Sequence, residues 1–143
     1  MAFKFKSSLI AGAIFIWAIV LGAALMNNPS LSGAKSRLVI MKEEMDALLG
    51  QGGRVVDAEE SAKYGGALLA RLIGDEGWSR LLLQRYQETL VSRGWKRIQD
   101  TPILYCKDEI LIKLQPNAGV TNGVGTNYIG MTYDASTIKR CNS

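Results

Sequence analysis

Residues 75–114 read DEGWSRLLLQRYQETLVSRGWKRIQDTPILYCKDEILIKL, and the change of pattern within them decides the fold class. Asp75 is a candidate N-cap, and Gly94 lies where a left-handed residue commonly ends a helix. One apolar stripe at helical spacing is formed between them by Leu82, Leu83, Tyr86 and Leu90. The first half of the stretch therefore predicts an amphipathic helix.

The second half of this stretch, and the residues after it, have the pattern of short strands. Strands are predicted at residues 96–98, 103–106, 110–114 and 128–133. Residues 115–127 are rich in Gly and Asn and predict a loop, in which the Asn-Gly pair at 122–123 is a strong hairpin signal. A helix followed by several strands indicates an α+β domain with a mostly antiparallel sheet.

The residues before residue 75 add one helix and one ambiguous segment. Ser36 as a candidate N-cap and Gly50 as a stop predict a helix between them. Its apolar stripe suits packing against its own domain or, as the alternative, a juxtamembrane dimer seam. A short strand begins at residues 54–56, but residues 58–73 are ambiguous. A capping-box pattern there favours a helix, whereas a Gly-Gly pair and the alternation after it favour a buried strand, which we predict over residues 66–73.

Near the N-terminus, residues 7–26 read SSLIAGAIFIWAIVLGAALM and contain no charge. A helix rises about 1.5 Å per residue, so this segment matches the roughly 30 Å hydrocarbon core of a bilayer. Lys4 and Lys6 before it suit the level of the headgroups. The alternative is a cleaved signal peptide, but the apolar run is longer than the usual h-region of about 7–15 residues, which favours an uncleaved anchor.

The expected organisation has three parts. Residues 1–26 form a cytoplasmic tip and a transmembrane anchor, residues 27–35 a linker, and residues 36–143 an extracytoplasmic domain. The fold class of that domain is α+β, with a mostly antiparallel sheet of about 4–6 strands packed by one or two helices.

Two cysteines, Cys106 and Cys141, both lie in the domain. A bridge between them would close a loop of about 35 residues, which chain entropy values at roughly 4 kcal/mol. Disulfides persist in oxidising compartments such as the bacterial periplasm. The charges flanking the anchor leave its orientation open, so the cysteines favour a bacterial inner-membrane protein with its N-terminus in the cytoplasm and its domain in the periplasm. The alternative is two unrelated buried thiols.

The composition excludes several classes of function. The chain has no histidine, which excludes a His-based catalytic triad and imidazole metal sites. Of 17 basic residues, Lys4 and Lys6 precede the anchor, which leaves 15 basic against 13 acidic residues after it. Nucleic-acid readers carry a concentrated basic face, and this near balance predicts no nucleic-acid binding.

Isolated motif matches lack the context that their chemistry needs. Ser136 and Lys139 fit a Ser-x-x-Lys pattern but have no partner motif. The glycines of residues 119–125 precede a strand rather than a helix and contain no lysine, unlike a phosphate-binding loop. Adjacent acid pairs suit caps and turns, and two cysteines fall short of the four ligands of a structural zinc site. The sequence therefore predicts no catalytic, cofactor-binding or metal-binding residue.

The best candidates for a contact surface are Trp95, Lys96 and Arg97, because aromatic residues and Arg are enriched at binding hot spots. The expected function is a non-enzymatic, membrane-anchored interaction module with a protein partner in the envelope, such as an accessory subunit of an envelope complex. Two alternatives are a periplasmic immunity-type inhibitor of a toxin and a small hydrolase that works without histidine.

Overall fold

The computed structural model of the chain describes residues 3–143, with side chains from residue 12 onward. The helices are α1 (Phe3–Asn27), α2 (Leu31–Leu49), α3 (Arg80–Ser92) and α4 (Ala135–Cys141). The strands are β1 (Val55–Lys63), β2 (Gly66–Gly74), β3 (Lys96–Asp100), β4 (Ile103–Lys107), β5 (Ile110–Thr121) and β6 (Val124–Asp134). The predicted headgroup-level role of Lys4 and Lys6 concerns side chains outside the described ones.

Helix α1 is long and apolar enough to span a membrane. Its apolar side chains, including Trp17 and Leu25, are exposed rather than packed against the domain. Exposure of this kind suits a lipid environment, because lipid rather than protein then covers the apolar surface. The prediction is confirmed to this extent: the chain has, near its N-terminus, a helix that is long and apolar enough to span a membrane.

All six strands form one sheet in the order β1-β2-β6-β5-β4-β3, and every neighbouring pair is antiparallel. Helix α2 packs on β1, β2 and β6, and α3 packs beside α2 and on β3. The core lies between these two helices and the sheet. Its fully buried members include Met41 and Leu48 of α2, Tyr86 of α3, and Leu69 and Ile112 of the sheet. The predicted α+β fold is confirmed.

The ambiguous segment 58–73 forms two strands, β1 and β2, joined by a turn at Tyr64-Gly65. The strand predicted over residues 66–73 is confirmed, and the helical alternative is wrong. The capping-box residues Asp57 and Glu60 lie in β1, which pairs along nearly its whole length with β2, and β2 pairs in turn with β6. Tertiary pairing of this extent overrides a local helix signal.

The loop predicted at residues 115–127 is wrong, because β5 runs to Thr121 and β6 begins at Val124. Only the Asn122-Gly123 turn interrupts them, with both φ angles positive as a tight hairpin requires. The register shifts between Gln115 and Gly119, so a bulge takes up the residues that made the segment look irregular.

Two helices begin elsewhere than their first cap signal suggested. Helix α3 is capped by Ser79, whose side chain accepts from the Leu82 amide, and Asp75 instead begins a short 3-10 turn. Helix α2 is capped by Ser30 rather than Ser36, so most of the linker expected at residues 27–35 is helical. Serine serves as an N-cap at each of these positions equally well by type, and only packing selects among them.

Candidate interaction surface

The sheet has two faces, and α2 and α3 cover only one of them. The short helix α4 follows β6 and covers one end of the opposite face, over β5 and β6. The rest of that opposite face is called the open face here. Its side chains include Asp57, Glu59 and Ser61 of β1, Leu68, Ala70 and Leu72 of β2, Tyr128, Gly130 and Thr132 of β6, and Leu111, Lys113 and Gln115 of β5. Leu104 of β4, which pairs with Lys113, points to the same side but is buried.

Strand β2 carries apolar side chains on both of its faces, with Arg71 as its one charged residue. Its sequence is GALLARLIG, and Leu69 and Ile73 point into the core beneath α2. Leu68 and Leu72, which alternate with them, point to the open face and stay partly exposed. An antiparallel sheet with one solvated face normally alternates apolar and polar residues. The open face therefore carries more apolar surface at its centre than contact with water explains.

Tyr128 lies flat across Gly130 on the open face. A Cβ atom added at residue 130 would collide with the phenol ring, so glycine makes room for the aromatic side chain. The Nζ atom of Lys113 lies 6.0 Å from the centre of the same ring, within reach of a cation–π contact. Burial raises the pKa of Tyr128, and the negative charge of Glu59 adds to that increase.

Opposite charges flank the centre of the open face. The register places Glu59 beside Ala70, Ala70 beside Gly130, and Gly130 beside Lys113. Strands are about 4.8 Å apart, so the two charged residues lie about 14 Å apart across the two smallest residues of the row. The open face thus combines an apolar centre with an acidic border on β1 and a basic border on β5.

Two open depressions lie on this face. One of about 390 Å³ is bordered by Leu72, Lys113 and Tyr128, and the other, of about 290 Å³, by Glu59 and Leu68. Small-molecule sites usually enclose most of their ligand. Two separate, open depressions suit the side chains of a protein partner better than one enclosed ligand.

The three residues predicted as a contact surface do not form one surface. Trp95 is 3% exposed, and its Nε1 atom donates a hydrogen bond to Glu44 over 2.9 Å, so the indole belongs to the core. Lys96 and Arg97 are exposed, but they are consecutive in β3 and point to opposite faces. Arg97 lies over the Tyr105 ring on the helix-covered face. For Trp95 the prediction is therefore corrected, because a buried side chain cannot meet a partner.

Sequence reasoning missed Glu44, the polar centre of the helix-covered face. Its carboxylate is 4% exposed and accepts hydrogen bonds from the Arg93 Nε atom at 2.8 Å, from Trp95, and from the Lys107 Nζ atom at 2.8 Å. Burial raises the pKa of Glu44, but the hydrogen bonds from Arg93, Lys107 and Trp95 outweigh this effect and hold the pKa below its ordinary 4.5. One carboxylate therefore ties α2 to β4 and to the turn after α3.

A sequence signal for Glu44 existed. The residue lies three positions after Met41 and four before Leu48, directly on the apolar stripe of α2. A charged residue on a buried stripe needs a partner, since an unpaired buried charge is strongly unfavourable.

The two cysteines are paired as predicted, with their Sγ atoms 2.06 Å apart. The bridge ties the end of α4 to β4, next to a cleft of about 610 Å³. Within this cleft, Arg37 pairs with Glu109 at 3.2 Å. The bridge thus holds α4 over its end of the sheet and sets the limit of the open face there.

No group of three or more His, Cys, Asp or Glu side chains that could hold a metal occurs among the residues that the structure describes. No protein-family model, no curated protein and no solved structure matches this chain.

Proposed function

We propose that this chain is a non-enzymatic, membrane-anchored interaction module that receives a protein partner on its open face. One observation carries the proposal: β2 has apolar side chains on both faces, and the chain itself covers only one of them. Burying the second set of side chains against a partner removes apolar surface from water, which is the main favourable term in association. The flanking charges select among partners, because a like charge placed against either border is unfavourable.

The chemistry of the partner follows from the layout of the face. Its contact segment has an apolar centre that covers Leu68 and Leu72 and meets the Tyr128 ring. It carries a basic group toward Glu59 and an acidic group toward Lys113, in the order that complements the two borders. A subunit of an envelope complex that lies beside the membrane fits this description.

The proposed location is the bacterial inner membrane, with the N-terminus in the cytoplasm and the domain in the periplasm. The Cys106–Cys141 bridge supports an oxidising compartment for the domain. Helix α1 supports attachment to a membrane. A cysteine-reactive test is available: with one cysteine introduced at Val120, a membrane-impermeant maleimide should label intact spheroplasts, whereas labelling only after lysis would contradict this orientation.

Position-specific photocrosslinking tests the contact face. A photoreactive amino acid is placed at Leu68 or Leu72 in the full chain in intact cells, followed by purification in mild detergent. Leu81 and Val91 on α3 are the controls, because both are exposed aliphatic residues on the other side of the domain.

We expect one adduct of defined mass from the two open-face positions and none from the two controls. The variant Lys113→Glu should weaken that adduct, since it reverses the basic border. Adducts of equal yield from both sides of the domain, or none from the open face, would overturn the proposed surface. Turnover of a defined substrate by the purified chain would overturn the non-enzymatic assignment.

A further inference from the structure

The junction between α1 and the domain is closed by side chains at the end of the helix. The last four carbonyls of any α-helix lack partners within it. Here the Asn28 Nδ2 atom donates to the Ala24 carbonyl at 2.8 Å, and the Tyr64 hydroxyl donates to the Leu25 carbonyl at 3.0 Å. Unpaired carbonyls are costly near hydrocarbon. The turn between β1 and β2 therefore supplies a hydrogen-bond donor to the C-terminal end of α1.

A backbone contact reinforces this junction. The Gly65 amide donates to the carbonyl of Pro29 at 3.0 Å, and Pro29 itself is buried. Only three residues separate α1 from α2. A linker this short, bonded on one side, does not act as a flexible stalk. The domain consequently sits directly at the end of α1, with the β1–β2 turn level with the last turn of that helix.

Apolar and basic side chains surround this junction. Tyr64 is 50% exposed and Leu31, the first residue of α2, is 44% exposed. Lys35 lies one turn after Leu31 on the same side of α2, and Lys63 precedes Tyr64. Among the side chains that the structure describes, neither lysine forms a salt bridge. Tyrosine and lysine at the end of a spanning helix are typical of the headgroup level.

We propose that Leu31, Lys35, Lys63 and Tyr64 form a lipid-contact patch whose partner is the bilayer that α1 crosses. The Tyr64 ring and Leu31 lie at the boundary between headgroups and acyl chains, and the two lysines meet lipid phosphates. This patch holds the domain at one orientation on the membrane. It depends on α1 spanning the bilayer and is independent of any partner on the open face.

Fluorescence in vesicles tests this patch with the full chain. Lys63→Cys carries the environment-sensitive dye NBD, and Val120→Cys, 73% exposed at the tip of the β5–β6 hairpin, is the distal control. Both native cysteines are in the disulfide, so labelling without reductant reaches only the introduced thiol. The chain is reconstituted in phosphatidylcholine vesicles with a nitroxide on the lipid headgroup.

We expect quenching at position 63 to exceed that at position 120 by about threefold or more, with a blue-shifted emission, because the dye lies among headgroups. Equal quenching at both positions would overturn the proposal, since it would mean that the domain stands away from the bilayer.

Two further arms separate contact from mere proximity. In the position-63 background, Tyr64→Ala should lose most of the excess quenching, and Tyr64→Phe, which keeps the ring, should retain it. Adding phosphatidylglycerol should raise the quenching at position 63 further, because anionic lipid attracts the remaining lysine, Lys35. Salt should reduce this additional quenching, because it screens the attraction. Unchanged quenching in Tyr64→Ala would overturn the role assigned to the ring. No response of the quenching to anionic lipid would overturn the role assigned to the lysines. Unchanged low quenching at position 120 in the same variants shows that the distal hairpin still lies away from the headgroups.

Discussion

On the helix-covered face of the sheet, Leu69, Ile112 and Met131 are fully buried, whereas Leu68 and Leu72, from the same strand as Leu69, remain partly exposed on the open face. The two faces therefore use similar side chains for different ends. Burial under α2 and α3 stabilises the fold, while the same kind of apolar surface left uncovered on the other face is available for association. One face of β2 is therefore used in folding, and the other is the face on which we propose that a partner binds.

The polar groups of the two faces differ in the same way. On the covered face, the Glu44 carboxylate is surrounded by three donor side chains, and the Tyr86 hydroxyl donates to the Gly52 carbonyl. On the open face, Glu59 and Lys113 stand about 14 Å apart and do not meet each other. Polar groups on the covered face therefore form hydrogen bonds with one another, whereas Glu59 and Lys113 on the open face do not pair with each other.

The largest expected difference comes from two adjacent leucines of β2. Leu69→Ala should lower the free energy of unfolding by about 3–4 kcal/mol, because it leaves a cavity beneath α2. Leu68→Ala should lower it by less than about 1 kcal/mol, because the side chain is already partly in water. Urea unfolding of the full chain in detergent micelles measures both. Equal losses of unfolding free energy would contradict the distinction between the faces. A crosslink from the open face that is weaker in Leu68→Ala but not in Leu69→Ala would support it further.

Removing the Glu44 carboxylate from the helix-covered face should lower the free energy of unfolding nearly as much as Leu69→Ala does. Glu44→Ala leaves Arg93, Trp95 and Lys107 without their acceptor and should lower the free energy of unfolding by about 3 kcal/mol. Glu43→Ala, one position away and exposed, should change it by less than about 0.5 kcal/mol. A loss in Glu44→Ala no larger than in its neighbour would contradict the role of this carboxylate.

Acid should act through the same group. The folded pKa of Glu44 lies below its ordinary 4.5, so its contribution to stability is fully present above about pH 4.5 and is lost as the pH falls through the folded pKa. The stability difference between the native chain and Glu44→Ala should therefore shrink on acidification. A constant difference down to low pH would contradict a lowered pKa.

Alkali should weaken the covered face through Tyr86. Burial raises the pKa of Tyr86 from 10.0 to about 12, so the unfolded chain loses the phenol proton before the folded chain does. Stability should decrease by about 1.4 kcal/mol between pH 9 and pH 11 from this residue. In Tyr86→Phe that share of the pH dependence should disappear, although the variant also loses the bond to Gly52. Identical pH slopes for the two chains would exclude this cause.

The smallest effect is expected on the open face itself. Gly130→Ala should displace the Tyr128 ring and change the free energy of unfolding by about 1 kcal/mol or less, because a better strand residue partly offsets the displaced ring. The pKa of Tyr128 should decrease toward its ordinary value as the ring enters water, which a spectroscopic titration measures. A loss as large as that of Leu69→Ala would show that this face belongs to the core.

The outcome of each sequence-based expectation has a physical cause. Local signals with a single solution were read correctly: Gly94, just after α3, and the Asn122-Gly123 turn both require positive φ angles, which few residues adopt. Signals with several local solutions were not, as with the serines that could cap α2 and the Gly- and Asn-rich composition that conceals the bulged end of β5. Trp95 was misassigned because hot-spot and core positions favour the same aromatic side chains, and its acceptor, Glu44, is 51 residues distant in sequence.

Length and periodicity alone predicted the long apolar helix near the N-terminus, the α+β class and a largely buried strand at β2, because each depends on residues that are neighbours in the chain. Which face of β2 is covered, which carboxylate closes the core and which side chains meet the end of α1 depended on the folded chain. These features join residues of distant segments, and no local pattern specifies which of two apolar faces the helices will cover.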